Sequence, residues 1–243
     1  MYRTLSSSVE AFVRGERRRA KSTLGLLNIG LPVPGADDGK TDVTVLRFGV
    51  EALHTTREQV LSGRGLVSWG LDALGSTMNF GDEPDSRFVT GLLQLQWARR
   101  LPWFGAEFVA RYNMQVSNHP LLTLEQFSIG GRYTVRGYRE NQVVRDNGLI
   151  GSAEFRLPVY QRVSPSIIVD LVPFFDAGHS WNKERKEIGQ QTLMSVGIGT
   201  RAFVTGWGYF EFFWGHRLKD VSRIGERDLQ DDGIHFRIAL EWP

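Results

Sequence analysis

The residues best suited to chemistry in this sequence are an arginine and an aspartate, each with glycine and aromatic residues nearby. Arg136 lies in GGRYTVRGYREN, residues 130–141, and Asp176 lies in FFDAGHSW, residues 174–181. A guanidinium group can donate two parallel hydrogen bonds to one carboxylate, which makes such a pair a strong and directional contact. The nearby glycines allow backbone segments to approach closely. This pattern indicates that one segment binds the other, and it requires elements that bring the two together.

Residues 130–141 could form a phosphate-binding loop, a hairpin turn or a compact folded loop. Phosphate-binding loops connect a strand directly to the start of a helix, whereas the residues that follow, NGLIGSAEFRLPV, alternate as a strand does. A hairpin turn is too short to account for this segment, because the linker that contains it spans about thirty residues, more than the usual range of loop lengths. We therefore predict a compact folded loop over residues 118–146.

Alternation of apolar and polar residues predicts that the elements around this loop are β-strands. Near the C-terminus, for example, Ile234, Phe236 and Ile238 alternate with His235 and Arg237. Ten segments show this pattern, near residues 4–15, 41–55, 64–76, 87–99, 103–117, 147–158, 167–181, 191–203, 207–218 and 233–242. Each has about ten residues or more, which exceeds the five or six of an ordinary strand and suffices for a tilted strand to cross a bilayer.

Three further features favour a membrane β-barrel over a soluble β-sandwich. The polar positions mix Gly, Ser, Gln, Glu and Arg, a composition typical of a water-filled or plugged barrel interior. The linkers alternate in length, as they do in outer-membrane barrels, and the long ones lie near residues 16–40, 77–86, 118–146, 182–190 and 219–232. Tryptophans near predicted strand ends resemble the aromatic girdles of such barrels, and they are Trp97, Trp103, Trp181, Trp207 and Trp242.

The strand predicted over residues 167–181 indicates which side of the wall Asp176 faces. Asp176 shares its face with Phe174 and Gly178, and the opposite face is apolar. Because the apolar face of a membrane strand contacts lipid, Asp176 is predicted to point into the lumen. Six other charged residues are predicted to line the lumen, namely Glu107, Arg111, Glu154, Arg156, Arg201 and Glu211. A loop that folds inward would bring Arg136 to Asp176.

Composition argues against several other classes of function. Charged residues make up 23% of the chain and apolar residues 41%, and the apolar runs are too short for a membrane-spanning helix. There is no cysteine, and the five histidines lack metal-ligand spacing. No nucleophile motif of the G-x-S-x-G type occurs, and the first residues lack the apolar segment of a signal peptide. We expect no metal, no cofactor, no nucleic-acid partner and no enzymatic activity.

Two motifs together resemble the Omp85 superfamily of outer-membrane barrels. FSIGGRYTVRGYREN resembles the sixth extracellular loop of that superfamily, with its Val-Arg-Gly-Tyr signature, and FFDAGHSW resembles its Phe-x-Asp-x-Gly strand motif. The residues around the first motif are most similar to the two-partner secretion transporters of the haemolysin secretion/activation type, ShlB/FhaC/HecB. The matching positions are Gly130, Gly131, Val135, Arg136, Gly137, Tyr138, Phe174, Asp176 and Gly178.

The resemblance implies an all-β fold, a transmembrane antiparallel β-barrel in the bacterial outer membrane. Its implied function is the export of a large secreted partner protein, similar to a haemolysin or adhesin, without nucleotide hydrolysis. The other implied partners are the lipid bilayer and the barrel assembly machinery that inserts the protein. The loop at 118–146 is expected to fold into the barrel, where Arg136 pairs with Asp176 and latches it.

The resemblance also implies a domain organisation, because such transporters have a signal peptide, periplasmic POTRA domains and a sixteen-stranded barrel. Residues 1–243 are expected to form the C-terminal part of that barrel, with about ten strands present and with the signal peptide and POTRA domains absent. The alternatives are an assembly insertase of the same superfamily, a soluble β-sandwich binding protein and an outer-membrane esterase. Solubility without detergent would indicate the sandwich, and labelling by a serine-directed probe would indicate the esterase.

Overall fold

The computed structural model describes residues 2–24, 29–30, 33–163, 166–184, 186, 189–221 and 226–241, and its regular structure is nearly all antiparallel β-sheet. The strands are β1 (Tyr2–Arg3), β2 (Ser7–Lys21), β3 (Thr23–Leu24), β4 (Ile29–Gly30), β5 (Lys40–Thr55), β6 (Gln59–Leu71), β7 (Val89–Arg100), β8 (Glu107–Ser117), β9 (Phe127–Ile129), β10 (Val143–Arg145), β11 (Asn147–Arg162), β12 (Ile167–Trp181), β13 (Thr192–Val204), β14 (Gly208–Arg217) and β15 (Ile234–Leu240). A 3₁₀ helix occupies Thr123–Glu125. No helix within the described residues is long and apolar enough to cross a membrane.

One eleven-stranded sheet contains all the long strands, in the order β1-β2-β5-β6-β7-β8-β11-β12-β13-β14-β15. Neighbouring strands are antiparallel throughout. The small hairpins β3–β4 and β9–β10 lie in the connections after β2 and after β8. Among the described residues, no pairing joins β15 to β1 or β2, so the sheet is open. Each of the ten predicted segments corresponds to one long strand, and the predicted all-β class is confirmed.

The largest difference from the predicted boundaries is in β2, which was expected to end near residue 15 and continues to Lys21. The arginines in this part of the strand find partners that the local pattern does not reveal. Arg18 forms an ion pair with Glu125 in the 118–146 loop, and Arg19 pairs with Asp42 on β5. Long-range ion pairs therefore accompany an extension of the strand through a run of three consecutive arginines.

Two other boundaries also differ from the prediction. β6 begins at Gln59 rather than near residue 64, because Thr56 closes a short turn. Its hydroxyl accepts hydrogen bonds from the backbone N–H groups of Glu58 and Gln59, a local arrangement that Thr favours in turns. β15 ends at Leu240, and the predicted strand residue Trp242 lies outside the described residues.

The two faces of the sheet differ in character, and we call the one that carries Asp176 the inner face. In β12, Phe174, Asp176 and Gly178 are buried on the inner face, whereas Phe175 on the outer face is 43% exposed. Large apolar side chains are exposed along the outer face, including Val13, Phe48, Val67, Leu93, Phe155, Val196, Trp214 and Phe236. A sandwich would bury them under a second sheet, but the other sheets among the described residues have only two strands. The sandwich alternative is therefore wrong.

The connections alternate in length as predicted. Residues 22–39, 72–88, 118–146, 182–191 and 218–233 form the long connections, and 56–58, 101–106, 163–166 and 205–207 form the short ones. Because successive strands run in opposite directions, all long connections leave the same end of the sheet. We call residues 118–146 the long loop.

The main apolar core lies between the long loop and the inner face. From the loop, Phe127, Ile129, Val135 and Tyr138 pack against Ile150 on β11 and Leu193 on β13, and all six are buried. Full burial of such an apolar side chain contributes about 1.5–3 kcal/mol. Apolar packing therefore holds the long loop against the wall and positions its charged residues.

Candidate functional site

Arg136 meets the inner face where β11 and β12 pair. The register of these strands places Ser152 opposite Asp176 and Glu154 opposite Phe174. All four side chains lie on the inner face, because residues two apart in a strand share a face and paired residues on neighbouring strands do so as well. The pairing of β11 with β12 thus assembles, at one point of the wall, two carboxylates, a hydroxyl and an aromatic ring.

The guanidinium of Arg136 forms four hydrogen bonds with this set of groups. Nε donates to Asp176 Oδ2 at 2.7 Å and Nη2 to Asp176 Oδ1 at 2.8 Å, a bidentate pair. Nη1 donates to Glu154 Oε2 at 2.9 Å, and Nη2 donates to Ser152 Oγ at 3.2 Å. The backbone N–H of Arg136 also donates to Asp176 Oδ2, at 3.0 Å. We call Arg136, Asp176, Glu154 and Ser152 the Arg136 cluster.

Two aromatic rings enclose the same guanidinium. Its central carbon lies 3.7 Å from the ring centre of Phe174 on β12 and 4.9 Å from that of Phe213 on β14. The two rings are 5.9 Å apart and nearly perpendicular. Cation–π attraction strengthens when water is excluded, and Arg136 is only 2% exposed. The rings therefore add attraction and keep water from the ion pair.

The charges around Arg136 compensate one another. Asp176 is fully buried, so its charge needs a partner close by. Burial alone would lower the pKa of Arg136, but the hydrogen bond and charge of Asp176, with the charge of Glu154, raise that pKa above its ordinary value. Glu154 also forms ion pairs with Arg111 and with Arg156, each at an N–O distance of 2.8 Å. The result is a buried ionic network that keeps Arg136 protonated.

Glycines permit the close approach of the long loop to the wall. Gly137 has φ +93°, and a Cβ there would lie 2.8 Å from the carbonyl oxygen of Gly215 on β14. At Gly178 on β12, a Cβ would lie 2.8 Å from Ile129 Cγ2 and 3.1 Å from Val135 Cγ2. Gly130 and Gly131 also have positive φ, +108° and +103°. Side chains at the first two positions would hold the loop away from the sheet.

Three residues fasten the tip of the long loop to strands beyond β12. The hydroxyl of Tyr138 lies 2.8 Å from the carbonyl oxygens of Met194 and Lys219. The backbone N–H of Gly137 donates to His235 Nε2 at 3.1 Å. Arg139 donates to both carboxylate oxygens of Asp231, at 2.9 Å and 2.6 Å. Residues 136–139 are thus bound to β12, β13 and β15 and to the connection between β14 and β15.

A Tyr138→Phe variant tests how much the tyrosine hydroxyl contributes. The change removes the hydroxyl but leaves the ring in the apolar core, so carbonyl and N–H groups of Met194 and Lys219 lose a partner. We expect destabilisation of about 1–2 kcal/mol, measured as a lower temperature at which the folded band disappears on unboiled gels. The control, Tyr160→Phe, alters an exposed tyrosine on β11 and should leave that temperature unchanged. Equal shifts in both variants would contradict the assignment.

The six charged residues predicted to line the lumen all lie on the inner face and form ion pairs there. Arg111 and Arg156 both contact Glu154, and Arg156 also reaches Glu107 at 2.9 Å. Farther along the sheet, Arg201 on β13 pairs with Glu211 on β14 at 2.9 Å. A loop residue that the sequence analysis did not single out, Arg132, reaches Glu211 at 2.9 Å.

Several residues of this site were missed by the sequence analysis. It did not identify Glu154 as a second partner of Arg136, nor Ser152, Phe213 and His235 as contacts of the loop. Alternation alone places these residues on the inner face, but the identity of a contact depends on the register between strands. Among the described residues, no group of three or more His, Cys, Asp or Glu side chains could hold a metal ion.

Comparisons with known proteins agree with this architecture. Residues 34–202 match the family described as haemolysin secretion/activation protein ShlB/FhaC/HecB. CdiB from Escherichia coli has a similar structure, with a TM-score of 0.77 and 18% sequence identity over 99% of this chain and 43% of the CdiB chain. CdiB from Acinetobacter baumannii is also similar, with a TM-score of 0.67 and 20% sequence identity over 90% of this chain and 37% of that CdiB chain. The chain thus spans less than half of either CdiB chain. No curated protein matches the sequence significantly.

Proposed function

Because the chain belongs to the ShlB/FhaC/HecB family, the two-partner secretion transporters of the Omp85 superfamily, we propose that it forms part of a barrel that exports a protein across the bacterial outer membrane. The proposed cargo is a large secreted partner of the haemolysin or adhesin kind, and its passage does not use nucleotide hydrolysis. The motif resemblance and the family match on residues 34–202 support the same assignment.

The observation that carries this proposal is the contrast between the two faces of one sheet. The outer face exposes a belt of large apolar side chains, which is favourable against lipid and unfavourable in water. The inner face carries the ion pairs and the long loop. A wall that is apolar outside and charged inside suits a barrel with a polar lumen.

In the proposed mechanism, the long loop occupies the lumen and the Arg136 cluster latches it to the wall. Glycines at 130, 131 and 137 allow the turns of the loop. Val135 and Tyr138 pack it against the wall. On β12, Gly178 leaves room for the loop and the ring of Phe174 contacts Arg136. The loop is connected to its base at β8 and β11, so it can move without dissociating from the protein. Export then requires both the seated loop, from which the transport cycle starts, and a rearrangement of the loop that clears a path for the partner.

We further propose that the ten long strands supply the C-terminal part of a sixteen-stranded barrel. The chain matches 43% of the length of CdiB from Escherichia coli, which is compatible with such a share. The proposed partners are the secreted protein, the lipid bilayer and the machinery that assembles barrels into the outer membrane.

The experiment that tests this function compares secreted proteins with and without the gene that encodes the chain. We expect deletion to remove one large protein from the culture medium and the plasmid-borne gene to restore it. In parallel, an immunoblot of outer membranes should show a band that shifts on boiling, as folded membrane barrels do. Unchanged secretion under conditions that produce the partner would contradict the proposal.

The same experiment separates the insertase alternative from the transporter. Loss of an assembly insertase would lower the amounts of many unrelated outer-membrane proteins. Loss of a dedicated transporter should leave them unchanged and remove only its own partner from the medium. A general decrease in outer-membrane proteins would therefore favour the insertase.

A further inference from the structure

Besides Arg136, the long loop has a buried charge near its beginning, at Glu125. Glu125 ends the 3₁₀ helix Thr123–Glu125, and its side chain is only 4% exposed. Its carboxylate oxygens accept hydrogen bonds from Arg47 Nη2 at 2.9 Å and 3.0 Å. Arg18 on β2 also donates to it. The carboxylate is therefore bound by arginines from two adjacent strands of the wall.

The arginine at the centre of this contact is itself held by the sheet. Arg47 on β5 donates from Nε to Glu16 on β2 at 3.1 Å and from Nη1 to Ser68 on β6 at 2.6 Å. Its three nitrogens thus bind the loop and both neighbouring strands. We call Glu125, Arg47, Arg18 and Glu16 the Glu125 cluster. Two carboxylates and two guanidinium groups balance in charge, as a partly buried network requires.

The Glu125 cluster and the Arg136 cluster lie on separate parts of the inner face. The first involves β2, β5 and β6, the second involves β11 and β12, and β7 and β8 lie between them in the sheet. The clusters share no residue. Between them, Gln115 on β8 donates to the backbone carbonyl of Glu125 at 2.9 Å. The long loop therefore extends across the inner face, and ion pairs attach it both to β5, through Glu125, and to β12, through Arg136.

We propose that Glu125 is a positioning residue that attaches the beginning of the long loop to the β2–β6 part of the wall, independently of Arg136. Release of the Arg136 cluster alone then loosens the tip, which Tyr138 and Arg139 still hold, while the beginning of the loop still covers the inner face near β5. A fully cleared lumen requires release of both clusters. The effect on the lumen rests on the proposed pore, whereas the attachment itself can be measured without it.

The chemistry of the cluster distinguishes it from an incidental surface contact. An exposed ion pair contributes little because water screens it, and Arg64–Glu51 on the same wall is of that kind, with both side chains at least one-third exposed. Glu125 has lost nearly all contact with water. Removing its charge leaves Arg47 facing a neutral amide and weakens the contacts through which this carboxylate joins the loop to β2 and β5.

The test measures local mobility at two positions of the loop in the full-length protein. Because the chain has no cysteine, a single cysteine at Thr123 or at Tyr133, both exposed, can carry a spin label. We expect Glu125→Gln to increase the mobility of the label at 123 several-fold and to leave the label at 133 nearly unchanged. We expect Arg136→Ala to produce the opposite pattern.

The matched control is Glu51→Gln, which removes one carboxylate of an exposed ion pair on the same strand as Arg47. It should change neither label. Glu125→Asp keeps the charge on a shorter side chain and should mobilise the label at 123 less than Glu125→Gln does. If Glu125→Gln leaves the label at 123 immobile, or mobilises both labels equally, the independent attachment is wrong.

Ion conductance in planar bilayers then tests the consequence for the lumen. We expect Glu125→Gln and Arg136→Ala each to increase the time spent in open states, and the double variant to exceed the sum of the two. The readout requires no secreted partner, so it separates a failure of this inference from a failure of the export proposal. Conductance that stays at the wild-type level in Glu125→Gln, with a mobile label at 123, would contradict the role in covering the lumen.

Discussion

An Arg136→Ala variant is expected to lose nearly all export of the partner protein while its barrel still inserts into the membrane. The change removes four side-chain hydrogen bonds and leaves Asp176 and Glu154 as buried carboxylates that have lost their shared cation. Breaking a buried ion pair in this way costs about 3–5 kcal/mol, enough to shift the equilibrium between the seated and the displaced loop by a factor of about 100 or more. Export is measured as partner protein in the medium, and insertion as the boiling-sensitive band in outer membranes.

Two comparison variants make this prediction specific. Arg100→Ala removes an exposed arginine at the end of β7 and should leave export unchanged. Adding Asp176→Asn to Arg136→Ala removes one uncompensated charge, so it should restore part of the lost thermal stability but not export. Wild-type export by Arg136→Ala would show that the cluster does not control the loop. Loss of the folded band would instead assign the cluster to barrel assembly.

A Gly215→Val variant is expected to displace the long loop and abolish export without unfolding the wall. A Cβ at Gly215 on β14 would lie 2.8 Å from the backbone N of Gly137 and 2.9 Å from the backbone C of Arg136. These are backbone atoms, so the clash cannot be relieved by a side-chain rotation. Overpacking of this kind costs about 1–3 kcal/mol or more, and here the loop that carries Arg136 must move. Export and the boiling-sensitive band are measured as for Arg136→Ala.

The matched control for Gly215→Val is the same substitution at Gly151 on β11. A Cβ at Gly151 meets no atom within 4 Å, and valine suits a strand. Gly151→Val should therefore keep both the folded band and export. The proposed close seating of the loop would be refuted if both variants exported normally. Equal loss of the folded band in both would show that valine disrupts the strands themselves.

The alternation of apolar and polar residues in the sequence was sufficient to predict most of the fold. The pattern around Phe175 and Asp176 placed one on the outer face and the other on the inner face, and the structure has them so. Strand existence and the alternation of connection lengths followed from local properties, because side-chain direction in a strand has a period of two residues. The predicted C-terminal end of β2 was wrong, because Arg18 in the last part of this strand pairs with Glu125, a residue distant in sequence.

For the site, the sequence by itself determined that Arg136 and Asp176 are suited to bind each other, since the two motifs and the predicted inward face of β12 lead to that expectation. Only the tertiary structure decided that Glu154 and Phe213 complete the surroundings of Arg136, and that Glu125 binds Arg47 at the other side of the inner face. The physical reason is that face and residue type are local properties of the chain. The identity of a contact depends on strand register and on the path of the long loop, which are set by pairing and packing between residues far apart in sequence.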